Sequence, residues 1–158
     1  MKTCRRYSNI KISISVWIKA SGEQVAWDDI ISKWDGAESD YYGYYLGLSP
    51  TGILQWFVSN AAVETETPLP TGEWVHIVAT YDYNQKFSRI YINGVLQEEI
   101  TTGATDIDKG LDADYNARFS IGGAVYGEGG GQFDGEIDDV YIYDRAISAS
   151  EVLELFNK

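Results

Sequence analysis

A chain of 158 residues with 24 Asp and Glu against 12 Lys and Arg carries a formal charge of −12, and a surface this acidic repels polyphosphate, which excludes nucleic acid as an expected partner. Apolar residues make up 44% and aromatics 14%, enough to bury one core in a single domain spanning residues 1–158 without metal or disulfide staples. The single cysteine, Cys4, leaves no internal disulfide to form, and no apolar run reaches about 18 residues, so no membrane-spanning helix is expected.

The chain opens on a basic stretch, residues 1–6, followed by an apolar one. Ile10, Ile12, Ile14, Val16 and Ile18 alternate with Lys11, Ser13, Ser15 and Trp17. That is the period of a half-buried strand rather than of a secretory signal. Short strand-like runs then follow at residues 30–33, 41–48 and 53–59, with Ser49-Pro50-Thr51-Gly52 as a turn between the last two. Residues 73–82 form a strong strand with Val75, Ile77, Ala79 and Tyr81 on one face, and residues 87–92 form the next. Asn93-Gly94 joins that run to Val95 and Leu96, and this dipeptide tolerates the positive φ angles of a two-residue hairpin turn. Residues 101–116 are expected as a polar loop, 118–122 as a strand, 127–131 as a glycine-rich loop, and 135–143 as the final strand. Ser148, with Glu151 three residues on, makes a capping box for one terminal helix striped by Val152, Leu153 and Phe156. Many short strands with so little helix predict an all-β sandwich or barrel.

Seven segments in order carry a resemblance. They are Ile14-Ser-Val-Trp-Ile-Lys19, Ile31-Ser-Lys-Trp-Asp35, Tyr44-Tyr-Leu-Gly-Leu48, Gly52-Ile-Leu-Gln-Trp56, the run from Gly72-Glu-Trp-Val to Tyr81-Asp82, Arg89-Ile-Tyr-Ile-Asn-Gly-Val95, and the run from Phe133-Asp-Gly-Glu to Tyr143-Asp-Arg145. Together they resemble laminin G-like domains of the concanavalin A-like lectin/glucanase superfamily. The resemblance implies a jelly-roll sandwich of two antiparallel sheets, one of them concave, and an extracellular or cell-surface place attached to an enzyme or adhesin. It also implies a first strand ahead of Ile14 that residues 1–9 do not match. A sheet edge left open there invites pairing with another chain, so a homodimer or reduced stability is expected. Members often hold one structural calcium, and the resemblance carries that role to Asp138; Asp138 and Asp139 read equally as a solvated edge pair.

Glycosidases share this fold and need two carboxylates flanking the sugar. Glu136-Ile-Asp138 matches the start of one such catalytic motif, but Tyr141 stands where its last Glu would be. His76 is the only histidine, it alternates with Val75 and Ile77 as a core or sheet-face residue, and with Cys4 it completes no nucleophile system. No zinc cluster or phosphate loop is present. The expected function is therefore non-catalytic binding of a glycan, a neutral polysaccharide given the acidic surface. A protein–protein adhesion module using the open edge is the alternative, and a glycoside hydrolase the third reading. Sugar rings stack on flat aromatics and hydrogen-bond to carboxylates. The candidate carbohydrate-binding residues are Trp27, Trp34, Asp35, Tyr42, Tyr44, Trp56 and Tyr126, while Trp17 and Trp74 are expected in the core.

Overall fold

The computed structural model describes residues 11–22, 24, 27–34, 43–58, 61–101, 118–123 and 131–158. Eleven strands and one helix follow in chain order: β1 (Lys11–Ala20), β2 (Asp28–Trp34), β3 (Gly43–Leu48), β4 (Leu54–Val58), β5 (Ala61–Glu64), β6 (Val75–Asp82), β7 (Phe87–Ile92), β8 (Val95–Thr101), β9 (Arg118–Ile121), β10 (Gly131–Gln132), β11 (Gly135–Tyr143) and α1 (Ala149–Phe156). Sheet I has the order β11-β1-β6-β7-β8, and sheet II the order β10-β2-β3-β4-β5 with β9 also on β2. The ladders are antiparallel except for β10, which runs parallel to β2.

Period-two alternation decides which side of each strand is buried. On β1, Ile12, Ile14, Val16 and Ile18 face the core; on β6, Val75, Ile77, Ala79 and Tyr81 do so. Sheet II answers with Ile30, Ile31, Tyr44, Leu46, Leu48, Leu54, Trp56, Val58 and Val63. Two consecutive isoleucines bury on β2 because the β2–β3 register shifts between Asp29 and Ile31, which makes Ile30 an additional residue. Each fully buried aliphatic side chain contributes roughly 1.5–3 kcal/mol.

The other face of sheet I is covered by α1. Val78, Tyr91, Ile147 and Val152 form a second apolar cluster there. Ser13 Oγ donates to the Arg145 carbonyl at 2.8 Å and accepts from the Ile147 N–H at 3.0 Å, which fixes the approach to the helix. Ser148 and Glu151 make the expected capping box. The Asn93-Gly94 turn has φ of 50° and 79°, as a hairpin turn of this type requires. A Cβ on Gly94 would lie 3.1 Å from Leu153 Cδ1 and 3.3 Å from Phe156 Cδ1, so the bare turn seats the helix.

Four expectations change. β8 runs through Thr101, the first residue of the expected polar loop, and β5 adds a strand where none was expected. Trp74, expected in the core, precedes β6 and is 40% exposed. Trp17, also expected in the core, lies on the helix side of sheet I against His76 and Phe156. Residues 1–10 lie outside the described residues, and so does the question of the first strand.

Candidate functional site

Sheet II presents its outward face as two rows of side chains, each crossing four or more strands. In the first row the ladders place Ser120 opposite Ser32, Ser32 opposite Tyr45, Tyr45 opposite Phe57 and Phe57 opposite Ala62. In the second they place Asp29 opposite Gly47, Gly47 opposite Gln55 and Gln55 opposite Glu64. Directly paired residues share a face. Both rows therefore point away from the core that Tyr44, Leu46, Trp56 and Val58 fill from the alternate positions.

The rings of Tyr45 and Phe57 stack with centroids 5.6 Å apart and planes 23° from parallel. Tyr45 also lies across Gly47, where a Cβ would stand 3.3 Å from two of its ring carbons and 2.8 Å from the Asp28 carbonyl oxygen. Glycine at 47 is what lets the ring lie down on the sheet. A polar border surrounds this platform. Ser32 Oγ and Ser120 Oγ are 2.9 Å apart, and Gln55 Nε2 donates to Glu64 Oε1. Burial pushes the Asp29 carboxyl above its ordinary range, partly offset by a hydrogen bond from Ser32 and reinforced by the charge of Asp28. Burial, with the charges of Asp29 and Glu64, raises the Tyr45 phenol well above its usual value, so it stays a protonated hydroxyl at any ordinary pH. The two rows thus join an apolar stack to hydroxyl, amide and carboxylate groups, and they carry no cation.

The sequence-derived site needs correction at two positions. Trp56 is 0% and Tyr44 5% exposed; they meet each other in the core with ring centroids 6.0 Å apart and offer no face to a sugar. Their neighbours Phe57 and Tyr45 are the outward aromatics. The signal was present in the alternation of Trp56 with Leu54 and Val58, which already placed it among core residues. Trp27 is 46% exposed and stands just ahead of β2 at the β10 margin, its carbonyl accepting from the Gly131 N–H at 3.0 Å. Trp34 ends β2 opposite Gly43 and Arg118. Asp35, Tyr42 and Tyr126 lie outside the described residues.

Asp138 is exposed on β11, and its Oδ1 accepts from the Asp139 N–H at 2.8 Å. Calcium takes six to eight oxygen ligands, and among the described residues no group of three or more His, Cys, Asp and Glu comes together. Glu136, the start of the glycosidase-like tripeptide, lies on sheet I in an ion pair with Lys19 at 2.9 Å. His76 is buried on the helix side of sheet I, with Nε2 2.9 Å from Ser15 Oγ. Among the described residues no helix is long and apolar enough to cross a membrane.

Comparison with known proteins agrees with this architecture. The carbohydrate-binding module CBM40 of a Ruminococcus gnavus sialidase, bound to α2,3-sialyllactose, superposes with a TM-score of 0.75 at 17% identity, covering 94% of this chain and 84% of that one. Domain 4 of AbnA, an extracellular arabinanase of Geobacillus stearothermophilus in complex with arabinotriose, gives 0.65 at 25% identity, covering 94% and 67%. A Trypanosoma rangeli sialidase gives 0.68 at 13% identity, and this chain spans 22% of its length. A search of curated protein sequences gives no match. A family model described as the concanavalin A-like lectin/glucanases superfamily, laminin G type 3, matches residues 4–153, beginning inside the segment where the sequence motifs found no counterpart. The chain belongs to that superfamily, and its two antiparallel sheets are the jelly-roll sandwich of its members.

Proposed function

We propose that the chain is a non-catalytic carbohydrate-binding module of an extracellular protein, and that it takes neutral glycans on the outward face of sheet II. The observation that carries this reading is the Tyr45–Phe57 stack bordered by Gln55, Asp29 and Glu64. A pyranose or furanose ring lays its C–H face on the two aromatics, and its hydroxyls exchange hydrogen bonds with the border. Sheet pairing supports a binding rather than a hydrolytic role. Asp29 and Glu64 sit three strands apart, roughly 14 Å at about 4.8 Å per strand, whereas a catalytic pair stands about 5–9.5 Å apart. No part of the proposal runs through calcium.

The two carboxylates and the absence of a cation from these rows also set the ligand's charge. An anionic sugar brings a carboxylate toward Asp29 and Glu64 with nothing in the rows to neutralise it. Calorimetric titration with arabinotriose, lactose and α2,3-sialyllactose tests both parts. Binding of a neutral sugar that is lost in Phe57→Ala supports the reading. Tighter binding of sialyllactose than of lactose overturns the neutral preference, and no binding of any of the three overturns the site.

A second reading, an assembly module, is favoured by one observation. β11 ends sheet I among the described residues, with Ile142 44% exposed. A light-scattering mass that doubles with concentration supports it, and a constant monomer mass rejects it.

A further inference from the structure

The outer face of sheet I carries a second aromatic site, built by an irregularity in β11. The β1–β11 ladder pairs Ser15 with Tyr141 and Trp17 with Asp138, so β11 holds one additional residue between them. Asp139 takes a left-handed backbone conformation there, at φ +48°. Beyond it, Tyr141 and Tyr143 stack with centroids 6.5 Å apart and planes 25° from parallel, and Tyr141 is 50% exposed. Asp139 and the two tyrosines line a cavity of about 140 Å³ against Trp17, His76 and Lys158. That is room for about four or five waters at roughly 30 Å³ each, the scale of one sugar residue engaged along an edge.

His76 forms the floor of this cavity. Its ring lies 5.1 Å from that of Trp17 and 6.1 Å from that of Phe156. Nε2 is engaged by Ser15 Oγ, while Nδ1 is buried without a hydrogen-bond partner. The polar groups at the wall, one carboxylate from Asp139 and one ammonium from Lys158, cancel in charge. We propose that this cavity is a second saccharide site, taking one neutral sugar residue stacked on Tyr141, with its hydroxyls donating to Asp139 and accepting from Lys158. It shares its ligand class with the sheet II face but none of its residues. Sites on opposite faces of one sandwich let a single module engage two strands of an insoluble polysaccharide.

His76 is the only histidine in the chain, so its imidazole proton signals report on the cavity without ambiguity. The experiment uses Phe57→Ala protein, in which the sheet II platform is cut back, titrated with arabinotriose and with lactose. The expected result is a saturable shift of the His76 ring signals at millimolar sugar. Tyr141→Ala, added to this background, weakens the response roughly five- to tenfold, and Tyr141→Phe, which keeps the stacking ring, leaves it within about twofold. An unmoved His76 signal in protein that retains its native spectrum overturns the second site. If wild-type protein still binds sugar by calorimetry, the sheet II reading survives that result; if it does not, both fall.

Discussion

Trp56 and Phe57 are adjacent on β4, yet the structure gives them opposite duties, and replacing each by alanine separates them. Trp56 is wholly buried, packs against Tyr44 and leaves its indole N–H without a hydrogen-bond partner. Truncating a core aromatic of this kind costs about 3–5 kcal/mol through lost burial and the cavity left behind. In a domain of this length each kcal/mol lowers Tm by about 2–4 °C, so Trp56→Ala is expected to melt roughly 6–20 °C lower. Phe57 is half-buried on the outward face, and its cross-strand pairing with Tyr45 contributes about 0.2–1 kcal/mol. Phe57→Ala is therefore expected to melt within a few degrees of wild type while losing about tenfold in glycan affinity, the equivalent of about 1.4 kcal/mol of stacking. Calorimetric melting and sugar titration on both variants make the comparison. A Trp56→Ala protein that melts like wild type but no longer binds sugar would refute the assignment of faces, and with it the site.

Burial lowers the His76 pKa below its ordinary 6.5, so the unfolded chain takes up a proton that the native state refuses. The contribution of neutral His76 is complete above 6.5 and declines as pH falls below it; a urea midpoint that drops between about pH 7.5 and 5.5 in wild type, but not in His76→Phe, is the expected result. Gly135→Ala places a Cβ against the Lys19 carbonyl and 2.7 Å from Phe133 Cε1, and overpacking of this kind costs about 1–3 kcal/mol, read as a lower urea midpoint with an unchanged slope. Ser148→Ala removes the helix cap and is expected to cost about 1 kcal/mol. The Arg145 guanidinium, with the Ser148 N–H and hydroxyl, holds the Glu151 carboxyl at about 2, below the ordinary 4.5. The stabilisation from that cluster is complete above 4.5 and is lost as pH falls toward 2, which acid titration of helix content measures.

How much of this was legible in the sequence depends on how local each signal is. The 93–94 turn, the final strand and the helix cap each rest on a few adjacent residues, and all three stand where periodicity and turn chemistry place them. The order of strands within each sheet comes from pairings between distant segments, and the family resemblance supplied the two-sheet architecture instead. The site was half legible. An aromatic cluster around residues 41–45 and 56 was visible, but composition alone chose Tyr44 and Trp56, one residue off the outward register in each strand. The alternation with Leu46, Leu54 and Val58 held the correct choice. Ser32, Ser120 and Glu64 enter the rows only through long-range ladders, which no local pattern shows. The bulge at Asp139 is likewise a register event between the first and last strands described.

That β1 lies between β6 and β11 has a consequence for how the molecule is made. As the chain emerges from a ribosome, β1 precedes both its neighbours and finds the first of them when residue 82 has been synthesised. Its other edge stays unpaired until residues 135–143 follow, and Ser13 receives its clamp only from residues 145 and 147. Such distant closures make folding slow, and an exposed strand edge in the interval is open to misassociation. Completion of sheet I thus waits for the whole of the intervening chain, and truncations ahead of β11 leave its second strand as a bare edge.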